Sequence, residues 1–413
     1  MVTAHRRRLP GDRLTAFGAT AATLAVTLAF PVAPAALWPL YQQRDGLDAL
    51  TVTLIFAIYA VGVVTSLFFG GNLSDRFGRK PLLIGALLIE ATSAVIFLVW
   101  SDVAGLLLAR LISGIGIGII TASTASYLLE LHRRARPGQP QDRAQVVSTL
   151  VTLGGFGIGA STGGMLASWA PHPLSLPFAL FLGLFLVALV CALRLPETVT
   201  PAPGPRSWSV QHIRAPRHHR GAYFAAAGTV FAVNTLFGSF SALAPAVLAS
   251  TLEVTAPAIG GCAVAVMFLA AGTTQVCLRR MPAPRQLTVG LALFAAGTLG
   301  LVAALAMNSG LGFAAGGVVA GAGGGVLFRT AMTQGGQLGD SNARAETLAG
   351  LFLSFYAGMI LPVVAIGALA RLMPLGTSFA LVCTTGLLLA GLSSAGLATP
   401  LRHSAIRTNP FRH

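Results

Sequence analysis

Charge is what this chain lacks most. Only 9% of its 413 residues are Asp, Glu, Lys or Arg, where a soluble domain carries roughly 25%. Too few polar groups remain to cover a water-facing surface. The four cysteines, Cys191, Cys262, Cys277 and Cys383, have no paired spacing, which argues against a disulfide framework. The eight histidines contain no His-x-x-x-His pair, which argues against a zinc site. The glycine run Gly321-Ala322-Gly323-Gly324-Gly325 lacks the Lys-Ser/Thr of a phosphate loop and lies in an apolar stretch, so no nucleotide site is expected. No cofactor and no enzymatic chemistry are expected. The net charge of +15 invites a nucleic-acid reading. The cations are scattered over short loops, however, and form no contiguous basic face with interleaved aromatics.

What is abundant is apolar length. Hydrophobic residues make up 54% of the chain, mean hydropathy is +0.76 and there are 48 glycines; small residues let helices approach closely in lipid. A bilayer-crossing helix needs about 20 apolar residues. Twelve runs qualify: 14–40, 50–71, 81–100, 104–129, 143–169, 175–194, 221–249, 255–278, 286–306, 310–333, 345–370 and 374–398. An even number puts both ends on one side. The loops on that side hold Arg76, Arg79, Lys80, Arg133, Arg279, Arg280, Arg344 and most other cations, whereas the opposite side holds only Arg44 and Arg371. The positive-inside rule makes the basic side cytoplasmic, in a plasma (inner) membrane. The basic residues Arg6-Arg7-Arg8 before the first run resemble a signal peptide, but the run is long and continues through Pro31, Pro34 and Pro39 without a small-residue cleavage site, so an uncleaved helix is expected.

The stretch 197–220, with Pro201, Pro203, Pro205 and Pro216, has linker composition. It divides the chain into a half at 1–196, the cytoplasmic linker, a half at 221–398 and a tail at 399–413. Three anchors share an offset of 201: Gly71 with Gly272, Arg143-Ala144 with Arg344-Ala345, and Gly157 with Gly358. They suggest a duplication of six helices.

Between the second and third runs lies Gly71-Asn72-Leu73-Ser74-Asp75-Arg76-Phe77-Gly78-Arg79-Lys80. It resembles the loop of the major facilitator superfamily of secondary transporters, Gly-x-Leu-x-Asp-Arg-x-Gly-Arg-Lys/Arg. The resemblance implies an all-α integral membrane fold of twelve transmembrane helices in two pseudo-symmetric six-helix bundles. It also implies a cytoplasmic gate in which Asp75 meets the start of helix 11 near Arg344, and Arg79 reaches Glu130 at the end of helix 4. Gly71, Arg76, Gly78 and Lys80 complete the motif. A basic loop that only sets topology is the alternative.

Arg110, followed by Gly114, Gly116 and Gly118, resembles the family's helix 4 motif. A charge inside a span marks function by default, although snorkelling to the surface is open to an arginine. Glu90 is a second charge within a span. With a rise of 1.5 Å per residue, it sits within two turns of the depth of Arg110. The two suit either a proton-coupling pair or a static link. Gly155, Gly159, Gly163 and Gly164 resemble the family's antiporter signature, with Ala160 where that pattern has Pro. Trp38, Tyr59, Asn234, Arg329 and Tyr356 are the expected cavity residues. Leu195-Pro196-Glu197-Thr198 resembles a common ending of helix 6 in the family, and Pro just past a helix is also simple termination. The resemblance implies proton-driven export of a small amphiphilic or apolar molecule across the bilayer, and a monomer is expected. Uptake of a solute, and a channel or receptor, are the alternatives.

Overall fold

The computed structural model describes residues 10–70, 77–135, 142–198, 215–216, 219–339 and 344–407. Among them, twelve helices are long and apolar enough to cross a membrane. In chain order α1 spans Thr15–Asp45, α2 Ala49–Phe69, α3 Arg79–Val99, α4 Val103–Thr121, α5 Ala144–Trp169 and α6 Leu176–Arg194. The second six are α7 Arg220–Ser250, α8 Pro257–Cys277, α9 Ala283–Ala306, α10 Gly310–Gln337, α11 Arg344–Leu369 and α12 Leu375–Leu397. Helical structure continues from α4 to Ala135, which carries Glu130 past the apolar span.

The buried apolar residues fall into two clusters. One comes from α1–α6 plus Tyr356, the other from α7–α12 plus Phe56 and Ala160. The two six-helix bundles therefore have separate cores and trade a few side chains across their boundary. α7 is central, buried along 94% of its apolar stretch, whereas α6, α9 and α12 are buried along 33% and present lipid-facing sides.

α1 reaches beyond residue 40, because a short helix, Trp38–Asp45, follows the apolar run and ends at Gly46 in a left-handed cap with φ +68°. It is also not regular. A helix ends at Ala29, a 3₁₀ segment runs Ala33–Leu37, and the short helix follows. In the break, Ala33 N–H bonds to Phe30 O and Ala35 N–H to Val32 O. Pro34 stands between them and has no N–H to give, which leaves the Pro31 carbonyl open to a side chain.

The two bundles meet at the end opposite the basic loops. Asp48, at the start of α2, pairs with Arg371, just past α11; its Oδ2 accepts from Nη2 at 2.6 Å and from Nε at 3.1 Å. Ala258 N–H donates to Ser168 Oγ at 2.8 Å, and Gly367 lies against Thr53 and Leu50. The two cations of this side each have an acid, since Arg44 pairs with Asp45 at 2.7 Å. One repeat anchor is corrected by the packing. Gly157 faces Ala265 of the other bundle, whereas Gly358 faces Phe231 of its own, so the 201-residue offset does not match equivalent contacts there.

Candidate functional site: the cavity between the bundles

A cavity of about 260 Å³ lies between the two halves and is lined by α1, α2, α4, α5, α7, α8, α10 and α11. Its wall includes Leu24, Thr121, Ser148, Gln275 and Phe352, all in the parts of their helices nearer the basic loops. Seven phenylalanines line it: Phe56, Phe156, Phe237, Phe268, Phe328, Phe352 and Phe355. Phe268 bridges Phe156 of the other half at 5.2 Å and Phe237 at 5.8 Å between ring centres. Phe355 touches Phe328 at 5.6 Å and Tyr356 at 4.7 Å. Aromatic pairs at such spacings hold one another beyond their area of contact. No local signal marks these rings, because phenylalanines occur in eleven of the twelve spans, all but α4.

Of the expected cavity residues, Tyr59, Asn234 and Tyr356 are in the wall. Trp38 and Arg329 are not. Trp38 is sealed in the first bundle beside Tyr41, at 5.8 Å between ring centres, and its Nε1 has no partner. Arg329 turns to α8, where Nη1 donates to Gln275 O at 3.0 Å.

Arg110 is buried in the cavity wall. Nη1 donates to the Pro31 carbonyl at 2.6 Å and Nε to Ile55 O at 3.4 Å. The guanidinium lies 4.7 Å from the ring centre of Tyr59 and 5.5 Å from that of Phe56. It does not snorkel. The α1 break, with its freed carbonyl, is what holds it.

Glu90 is buried behind α4 rather than in the cavity wall. Its Oε2 accepts from Ser113 Oγ at 2.9 Å, and Oε1 has no partner. Among the described residues no ion pair joins Glu90 to Arg110, so the direct pairing expected from their depths is corrected. Arg110 points to α1 and α2, whereas Glu90 points at Gly116, where an added Cβ would stand 2.5 Å from Oε1. Gly114 and Gly118 serve a different neighbour, abutting Tyr59 and Ser66 of α2.

In the loop motif, Gly71, Asp75 and Arg76 lie outside the described residues. Arg79 Nη2 meets Glu130 Oε1 at 3.3 Å, and Glu130 Oε2 accepts from Thr198 Oγ1 at 2.5 Å. The residue missed by sequence is Glu197. Its carboxylate accepts the backbone N–H of Arg79 at 3.1 Å and of Lys80 at 3.0 Å, capping α3 from the end of α6. Lys80 Nζ returns the contact to Leu193 O at 2.7 Å, and Tyr127 Oη donates to Pro196 O at 2.6 Å. Gly78 has φ +91°, and a Cβ there would lie 2.6 Å from Glu197 Oε2. Both facts require glycine. Arg344 is exposed at the start of α11.

α5 has two glycine faces. Gly155, Gly159 and Gly163 lie on the backbone of Ala25, Ala29 and Ala33 in α1, while Gly164 meets Pro257 and Gly261 of α8. The stripe thus serves packing within the first bundle and contact between bundles.

Twelve spans in two bundles around a solute-sized cavity define a multi-pass membrane carrier. The family model of the Major Facilitator Superfamily matches residues 15–361, and the chain belongs to that family of transporters. It is similar to an uncharacterised MFS-type transporter of Methanocaldococcus jannaschii, 28% identical over 165 residues, covering 40% of this chain and 42% of that protein. It is similar to the arabinose-proton symporter of Bacillus subtilis, 37% identical over 91 residues, covering 22% and 19%. It is similar to the quinolone resistance protein NorA of Staphylococcus aureus, 25% identical over 169 residues, covering 40% and 41%. The chain spans less than half the length of each.

Proposed function

We propose that the chain exports a small amphiphilic or apolar molecule in exchange for protons, with the basic loops and both ends in the cytoplasm. The observation that carries this reading is the phenylalanine-lined cavity, closed at the Asp48–Arg371 end and extending toward the basic loops. A solute taken from the cytoplasm or inner leaflet would enter there. The likeness to NorA supports efflux, and the lysine and arginine asymmetry supports the orientation. The likeness to a sugar-proton symporter favours uptake as the second reading. The halves at 1–196 and 221–398 rock about the cavity as a monomer. The Asp75 motif with Arg344 closes the cytoplasmic side when the other side opens, and the Arg79–Glu130 pair, formed here within the first half, holds that loop to α4.

Glu90 is the proton carrier in this reading. Its carboxyl has one oxygen held by Ser113 and one unheld, so it can gain and lose a proton without breaking an ion pair. The test uses everted membrane vesicles and a labelled substrate panel, with and without an acid interior. Accumulation that depends on the pH gradient is expected, and Glu90→Gln should abolish accumulation while sparing binding. Accumulation only in right-side-out vesicles supports uptake, and wild-type accumulation by Glu90→Gln makes that residue structural.

A further inference from the structure

We propose that the transported solute is an organic anion, an aromatic body bearing one carboxylate, and that Arg110 takes its charge. This rests on the reading of the cavity as the transport site. Among the described residues lining it, Arg110 is the one that is charged, and none is Asp or Glu. Two of its three nitrogens are held by carbonyls, Nη1 by Pro31 and Nε by Ile55. Among the described residues Nη2 makes no hydrogen bond, and the side chain that carries it lines the cavity.

A buried cation without an acid within ion-pair distance is costly, and it is relieved by a counter-ion. Nothing within the described protein supplies that ion, since Glu90 is turned to Ser113 behind α4. A carboxylate entering the cavity would accept from Nη2 with the strength of a charge-assisted bond. Tyr59 and Tyr356 line the same space, and their hydroxyls make no hydrogen bond within the described residues, so they can serve as neutral donors to the second carboxylate oxygen. The remaining wall is phenylalanine, which suits a planar ring. A cationic amphiphile would meet the guanidinium at close range with no acid to offset it.

The site has one cation, which favours a single charge. The carbonyls of Pro31 and Ile55 fix the guanidinium before the solute arrives, so little side-chain freedom is lost on binding.

The test is binding of three naphthalenes, matched in ring and differing in charge, to the purified full-length protein in detergent by isothermal titration. They are 2-naphthoate, 2-naphthylmethanol and 2-naphthylmethylammonium. Wild type should bind 2-naphthoate about tenfold or more tighter than the other two, the scale of one charged hydrogen bond. Arg110→Gln should erase the preference, and Arg110→Lys should keep part of it. Tyr59→Phe, which retains the ring over the guanidinium, should weaken 2-naphthoate alone. Equal or tighter binding of the ammonium by wild type, binding of none of the three, or an undiminished preference in Arg110→Gln overturns the proposal. Binding in detergent needs neither a gradient nor a direction, so vesicles that transport the wrong way would sink the export reading alone. A preference for the ammonium together with gradient-driven export would sink this inference alone.

Discussion

Glu197 joins the ends of two helices through one carboxylate. The first N–H groups of a helix have no partner inside it, and at α3 those of Arg79 and Lys80 are met from α6. Losing a capping side chain costs about 0.5–2 kcal/mol. Glu197→Ala should therefore lower the midpoint of thermal unfolding in detergent, with Glu197→Gln between it and wild type because the amide oxygen still accepts. An Ala variant as stable as wild type would show that water satisfies these groups equally well. In the sequence, Leu195-Pro196-Glu197-Thr198 was legible only as a helix ending of the kind common in the family. The reason is physical: the partner of Glu197 is 118 residues away, and a cap delivered from a distant segment has no local pattern. Arg79 and Glu130 were legible only through the family's motif, and Glu90 and Arg110 only as charges in apolar runs. Where the last two point could not be read, since one turn of a helix decides it.

At the scale of helices, the α1–α5 seam shows what glycine spacing reveals and what it hides. Residues four apart share a helix face, so the stripe of Gly155, Gly159 and Gly163 was visible. The role of Gly157 and Gly164 on the opposite face was not, because spacing does not name the neighbour. Gly159 lies directly on the Ala29 backbone, which cannot yield as a side chain can. Overpacking of this kind costs about 1–3 kcal/mol or more. Gly159→Val should reduce expression and thermal stability. Gly183→Val, at an exposed site with nothing within 4 Å of its added Cβ, should change neither. Equal behaviour of the two variants would mean that α1 and α5 separate readily. The break in α1 was half legible. Pro31 and Pro34 stood in the apolar run read as one uncleaved helix, and the freed carbonyl gains meaning only once α4 brings Arg110 to it.

For the whole molecule, the twelve spans were legible because hydropathy is local and additive, whereas the closure at the Asp48–Arg371 end was not, its partners being 323 residues apart. The hydrogen bond of Thr51 and that of Arg371 lower the Asp48 carboxyl to about 2. A group depressed in this way contributes its stability above its free value near 4, and loses it only as pH falls through about 2. The closure is thus indifferent to pH between 5 and 8. Exposed ion pairs are worth about 0–1 kcal/mol, so Asp48→Asn should raise the population open on that side by up to about fivefold and leave the pH profile of transport unchanged. The check is the rate at which an impermeant thiol reagent, added from the Asp48 side, labels a cysteine at Ala35 in a chain without the four native cysteines. A rate identical to that of the unaltered pair would remove Asp48 from the closure. Trp38, sealed beneath this same end with its indole N–H unpartnered, gives the protein a built-in optical gauge. In a chain whose other tryptophans are phenylalanine, its emission should move to longer wavelength as water reaches the indole. The turnover of the carrier could then be followed in real time by light alone.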